Sequence, residues 1–258
     1  MTLQGKSALV MGAGRNIGRA IALALAAQGA DVAVHARASL DEVEAVAKEV
    51  AALGSRGLPV LGDLAERADV ERVVRETTAA FGKVDILVNT PAIRPSQWFH
   101  EITDADWRRV MDVNLYGPFV ACQAVIPGML VRRWGRILNF SGSGAFTGAP
   151  RRAHVMVTKT GILGLTRGLA LEYAASGITV NTIVPGVFET ARRPAWDMGQ
   201  SSSVPAVPLP AHVGHGEPRI GRRGHPEEVG ALCAYLASDA AAFITGQSHH
   251  INGGGYLG

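Results

Sequence analysis

Residues 7–20, Ser-Ala-Leu-Val-Met-Gly-Ala-Gly-Arg-Asn-Ile-Gly-Arg-Ala, constrain this chain more than any other stretch. The apolar run Ala8 to Met11 meets a glycine-rich turn, then opens into Ile21-Ala-Leu-Ala-Leu-Ala-Ala, which favours helix. A buried strand, a tight turn and a helix in succession form the first half of a βαβ unit. Gly12 can adopt the backbone angles of the turn, and glycine at 14 or 18 lets the backbone approach a ligand or the strand closely. The helix that follows aims unpaired N–H groups and a partial positive charge at the turn, a seat for pyrophosphate. The spacing is not Gly-x-Gly-x-x-Gly, because position 17 is Ile. It fits Gly-x-x-x-Gly-x-Gly with Asn16 in the place of the middle glycine.

A chain of 258 residues at 47% hydrophobic can bury a large core. Strands and helices alternate throughout and no composition break divides them, so one domain over 1–258 is predicted. The fold class is α/β, a doubly wound Rossmann-like sheet of about seven parallel strands with helices on both faces. Two distant cysteines, Cys122 and Cys233, point to a reducing compartment and away from a disulfide framework or zinc site. No apolar run approaches a membrane span and no signal-peptide pattern opens the chain, so a cytoplasmic protein without a membrane partner is expected. The net charge of +3 is small and scattered, which argues against a nucleic-acid partner.

The predicted second strand, 31–36, ends at His35-Ala36-Arg37. An acid that would bond a ribose 2′-hydroxyl is missing from this window; Asp41 and Glu42 come too late, and Ser39-x-x-Glu42 reads as a capping box. Arg15 and Arg37 are instead placed to meet a 2′-phosphate. A third strand, 57–61, leads to Asp63-Leu64, and a fourth, 84–88, to Asn89-Thr-Pro-Ala92. A helix from about 103 runs past Asn114, with Pro118 and Pro127 expected to bend or end parts of it. The fifth strand, 136–140, runs into Ser141-Gly142-Ser143-Gly144, and the next helix carries Lys159. On that helix Gly161, Gly164 and Gly168 form a bare stripe, packed on the sheet or on a second subunit. The strand 178–184 ends in Pro185-Gly186. Residues 188–219, with five prolines, are predicted to be a lid over the carboxyl edge of the sheet. A helix over 226–236 and a strand over 243–251 close the chain.

The assembled pattern resembles the short-chain dehydrogenase/reductase family over essentially the whole chain. Its carriers are Gly12-Ala-Gly-Arg-Asn-Ile-Gly18, Asp63-Leu64, Asn89, Asn114, Lys159, Pro185-Gly186 with Thr190, and Ile244-Thr-Gly-Gln with Ile251-Asn-Gly-Gly254. The resemblance implies NADP(H) as cofactor, with Lys159 on the nicotinamide ribose and Thr190 on the carboxamide. Asp63 and Leu64 would flank adenine, and Asn89 would stabilise the strand edge beside the adenosine. It also implies a homotetramer or homodimer packed through the helices at 104–131 and 153–176.

At the catalytic positions the sequence departs from the family. The usual Tyr, four residues before the Lys, is Val155 here, and the usual Ser is by register Gly142. Val cannot transfer a proton, and Gly142 has no side chain to orient a carbonyl. Asn114, Lys159, Ser141 and His154 remain as candidate catalytic residues; a one-residue shift of the loop would let Ser141 or Ser143 stand in for the missing Ser. His154 could equally be a loop histidine turned to solvent. Three functions stay open. One is an NADP(H)-dependent oxidoreductase acting on a small molecule that needs little acid help, such as an iminium or a conjugated acceptor, or taking its proton from water held by Asn114 and Lys159. The others are a non-redox lyase, isomerase or cyclase, and a catalytically silent nucleotide-binding subunit. Arg151, Arg152, Arg192 and Arg193 suggest that the substrate is acidic.

Overall fold

The computed structural model describes residues 2–191 and 217–257, so most of the predicted lid, including Arg192 and Arg193, lies outside the described residues. Seven strands form one parallel sheet in the order β3-β2-β1-β4-β5-β6-β7. They are β1 (Ser7–Met11), β2 (Asp31–Ala36), β3 (Gly57–Leu61), β4 (Ile86–Asn89), β5 (Gly135–Phe140), β6 (Ile178–Pro185) and β7 (Ser248–Ile251). The helices between them are α1 (Asn16–Ala27), α2 (Leu40–Ala52), α3 (Arg67–Phe81), α4 (Asp104–Met111), α5 (Gly117–Arg132), the single turn α6 (Gly144–Thr147), α7 (Ala153–Tyr173) and α8 (Pro226–Ala237). The doubly wound α/β domain is therefore as predicted.

Side chains on successive strand residues point to opposite faces, and the core divides accordingly. Ala8, Val10, Ile86 and Val88 pack with α1, α2 and α8, while Leu9, Met11 and Leu87 pack with α3 and α5. The strand order reverses between β1 and β4, the point where ligands bind in such sheets.

Four local expectations are corrected. The last strand covers only Ser248–Ile251, because a 3-10 turn at Asp239–Ala241 occupies the chain before it and Gly246 adopts a φ of 72° that breaks extension. Ser39 stands at the N-cap of α2, yet its side chain makes no capping hydrogen bond. A capping box does form at α4, between Thr103 and Asp106. Helix 104–132 is long and apolar enough to span a membrane by length and composition, contrary to the sequence expectation, but 56% of its most apolar window is buried inside the fold. It is a core helix. Neither proline ends it: Pro118 lies just after the turn of π-helix Asp112–Tyr116 that joins α4 to α5, and Pro127 lies inside α5.

Candidate nucleotide and substrate site

The glycine turn after β1 is built for close approach. Gly12 has φ 76°, and a Cβ placed on Gly18 would lie 2.0 Å from the Gly12 carbonyl oxygen, so position 18 admits only glycine. α1 begins at Asn16 with Arg15 as an extended N-cap, and no side chain caps it. Its first N–H groups thus have no side-chain acceptor. Ile17 is partly buried against the core behind the turn. Asn16, at φ 51°, is tied elsewhere: its Nδ2 donates to the Ala191 carbonyl at 2.9 Å, and its Oδ1 accepts the Ala191 N–H at 3.0 Å. The segment that carries Thr190 is thereby strapped to the turn.

A residue that the sequence reading passed over supports this turn. His35 is buried at the end of β2; its Nδ1 accepts the Gly12 N–H at 3.2 Å and its Nε2 lies 2.9 Å from the Gly62 carbonyl. An accepting Nδ1 places the ring hydrogen on Nε2, which donates to Gly62. Burial pulls the ring's pKa down to about 4, so it is neutral at physiological pH. Arg37 follows two residues later, exposed at the same sheet edge and close enough to Asp63 to act on it electrostatically. Burial pushes the Asp63 carboxyl up, but the Arg109 guanidinium at 2.9 Å and the Ala65 N–H outweigh it and hold the group below its usual range. Leu64 is buried beside it.

Further along the edge, Asn89 donates from Nδ2 to Asn139 Oδ1 at 2.9 Å, Asn139 donates to Thr166 at 3.0 Å, and Thr182 also donates to Thr166 at 2.8 Å. This chain joins β4, β5, β6 and α7 beneath the site. Asn114 sits in one turn of π-helix, Asp112–Tyr116, between α4 and α5. Its amide clamps the backbone of Ile93, accepting the N–H at 2.8 Å and donating to the carbonyl at 2.9 Å, and it reaches Thr158 at 3.4 Å. Asn114 therefore fixes the loop that follows β4.

Lys159 lies buried in α7, its Nζ donating to the Phe140 carbonyl at 2.8 Å. Burial, reinforced by the nearby positive charge of Arg94, lowers its pKa to about 7. Val155, one turn earlier, is 1% exposed. The Ser141 hydroxyl donates to the Lys159 carbonyl at 2.8 Å and is committed to holding α7, whereas Ser143 faces a cleft. A Cβ added at Gly142 meets nothing within 4 Å.

That cleft opens at the carboxyl edge of β5, β6 and β7, between Ser143, Thr147, Gly186, Val187, Asn252 and Tyr256. Pro185 ends β6, and Gly186 donates to the Ile251 carbonyl at 2.9 Å. A Cβ at 186 would lie 2.7 Å from Asn252, so the glycine permits this junction. Phe146, His250 and Tyr256 pack ring against ring beside the cleft, with centroids 4.7 to 5.7 Å apart.

The solvent-facing alternative for His154 is overturned. The ring is fully buried in the first turn of α7, and neither nitrogen has a hydrogen-bond partner among the described residues. Burial lowers its pKa, with Asp106 acting against this. Nearby Arg151 adopts a left-handed φ of 61°, a strained conformation for a non-glycine residue, and its guanidinium lies 5.4 Å from the Trp98 ring centroid. The 91–98 loop is bonded to this segment through the Gln97 N–H and the Arg151 carbonyl at 2.8 Å.

A family described as Enoyl-(Acyl carrier protein) reductase matches residues 12–255. The 3-oxoacyl-[acyl-carrier-protein] reductase FabG of Staphylococcus epidermidis is 38% identical over 98% of this chain and 99% of its own length. The protein of that name from Escherichia coli K12 is 36% identical over the full length of both. A crystal structure of a putative short-chain alcohol dehydrogenase from Sinorhizobium meliloti superposes with a TM-score of 0.84 at 31% identity, covering 98% of this chain and 96% of that one. With a seven-stranded sheet in the order 3-2-1-4-5-6-7 and matches of this extent, the chain belongs to the short-chain dehydrogenase/reductase family.

Proposed function

We propose that the protein is an NADP(H)-dependent oxidoreductase with an atypical active site, in which Val155 stands at the family's Tyr position and Gly142 at its Ser position. The observation that carries this reading is Lys159, an amine buried at the edge of the sheet one helical turn after Val155. Burying an ammonium is costly, and such groups are retained where chemistry uses them. Its pKa of about 7 suits it to give and take a proton at neutral pH.

The turn fits a dinucleotide, since Gly18 leaves no room for a side chain and the N-terminus of α1 lacks a side-chain cap. Arg15, Asn16 and Ile17 with Gly12 and Gly18 would surround the pyrophosphate, and Arg37 would meet the 2′-phosphate. Asp63, Leu64 and Asn89 would border the adenosine. Lys159 would hold the nicotinamide ribose, with Pro185, Gly186 and Thr190 at the carboxamide. Bound there, the nicotinamide nucleotide supplies hydride. Substrate would enter the cleft beside Ser143 and Gly186, where Gly142 leaves open space. Arg151, beside the Trp98 ring, would supply a cation suited to an acidic small molecule.

A second reading, nucleotide binding without redox turnover, is favoured by one observation. Val155 is aliphatic and buried, so no phenol stands over Lys159. Calorimetry with NADPH, paired with assays of NADPH consumption on an activated ketone, a conjugated enone and an iminium salt, separates the two. Binding with consumption of any of the three supports the oxidoreductase, and binding with none supports the second reading.

A further inference from the structure

The chain has four tyrosines, and their positions leave one of them at the cleft lined by Ser143 and Gly186. Tyr116 is turned to the outer surface, where Arg67 Nε bonds its hydroxyl at 3.1 Å. Tyr173 ends α7, and since helices and strands run antiparallel in this fold, it lies at the opposite edge of the sheet. Tyr235 is exposed near the end of α8. Tyr256 alone lines the cleft, opposite Ser143 and Gly186.

Its position is braced from several sides. The Tyr256 carbonyl accepts from Asn252 Nδ2 at 2.9 Å, and Asn252 Oδ1 in turn accepts the Gly254 N–H at 2.9 Å. The ring packs against Phe146 at 5.7 Å and His250 at 5.3 Å between centroids. Phe146 belongs to the turn that begins two residues after Gly142. The segment that lacks the Ser and the segment that carries the remaining phenol are thus in direct contact. Ring–ring packing of this kind fixes an aromatic plane while leaving its polar tip free to bond a ligand.

We propose that Tyr256 is the proton donor of this active site, its phenol reaching the substrate carbonyl from the C-terminal segment instead of from α7. The inference rests on the oxidoreductase reading. As the carbonyl carbon gains hydride, its oxygen takes the Tyr256 proton and becomes an alcohol. The phenolate left behind recovers a proton from water, so that one ketone and one solvent proton are consumed per hydride. Lys159 keeps its bond to Phe140 and serves the ribose.

The test compares Tyr256→Phe with Tyr235→Phe, using ethyl acetoacetate as the ketone. Phe keeps the packing against Phe146 and His250 and removes only the proton. In Tyr256→Phe, kcat should fall by about 10²-fold or more with the NADPH dissociation constant unchanged, while Tyr235→Phe matches wild type. A second readout needs no turnover. Nitration of wild-type tyrosines by tetranitromethane, mapped by mass spectrometry without cofactor, should show Tyr256 shielded by ethyl acetoacetate and Tyr235 not. Turnover within twofold of wild type in Tyr256→Phe, or nitration of Tyr256 indifferent to the ketone, overturns the assignment. A wild-type protein that binds NADPH and reduces only the enone or the iminium overturns this role alone, and one that consumes NADPH with none of the three overturns the oxidoreductase reading as well.

Discussion

His35 holds Gly12 through a hydrogen bond from the glycine N–H to its Nδ1, 3.2 Å long, so the first residue of the glycine turn depends on a neutral imidazole. Protonation would turn that acceptor into a second donor aimed at an N–H. The ring's pKa is about 4 in the fold and about 6.5 in the unfolded chain. Between these values the unfolded state binds more protons, so stability is complete above pH 6.5 and declines as pH falls towards 4. A shift of this size corresponds to roughly 3 kcal/mol across the window. Urea denaturation from pH 7.5 to 4.5 should show the decline, and His35→Gln should flatten it. Equal slopes in the two proteins would show that His35 is not the titrating group.

NADPH should bind at least tenfold more tightly than NADH, a difference of about 1.4 kcal/mol. Positions 35 to 38 read His-Ala-Arg-Ala and offer no carboxylate to a ribose hydroxyl, while Arg37 is exposed at that edge. Arg37→Ala should remove most of the preference. Calorimetric titration with both nucleotides measures it, and equal affinities in the wild type would contradict the assignment.

Much of this architecture was legible because its signals are local. The strand, glycine turn and helix at 7–27 follow one another in sequence, and Gly18 faces a contact that no other residue could make. His35 was hidden because a histidine among valines and alanines reads as an interruption of a strand; its partner lies 23 residues earlier. The Asn89–Asn139–Thr166 chain depends on strand register across β4 and β5, which no short spacing encodes. Ser141 and Ser143 are equivalent in sequence, and only the fold turns one to the Lys159 carbonyl and the other to the cleft. Tyr256 lies 114 residues after Gly142 and comes near its segment only because β7 pairs with β6.

The glycine stripe on α7 should lie at a subunit interface. Packing within the chain accounts only for Gly161, where an added Cβ would be 3.0 Å from Leu115 of the π-turn; at Gly164 and Gly168 it would meet nothing within 4 Å. Leu171 and Val131, 87% and 86% exposed on α7 and α5, add apolar surface to these helices. A two-fold contact would bring such faces together closely. Gly164→Leu should then move sedimentation towards smaller species. An unchanged profile from a folded variant would exclude this face from assembly.

Restoring the family's usual pair should raise ketone reduction. Gly142 has open space where a Ser side chain would project, so Gly142→Ser should fold without strain. Val155 is buried, so Val155→Tyr must displace its neighbours to fit the larger ring, at a cost of about 1–3 kcal/mol in stability. Residues 155 and 159 share a face of α7, so the new phenol would stand over the Lys159 amine. A cation there lowers the phenol's pKa and eases proton donation. The double variant should therefore reduce ethyl acetoacetate about 10²-fold faster than Val155→Phe, which adds the bulk without the proton. Built on Tyr256→Phe, the same pair should rescue turnover, since the proton would then come from α7. A folded, NADPH-binding double variant no faster than Val155→Phe would mean that the hydride geometry itself has moved, and the non-redox reading would take precedence.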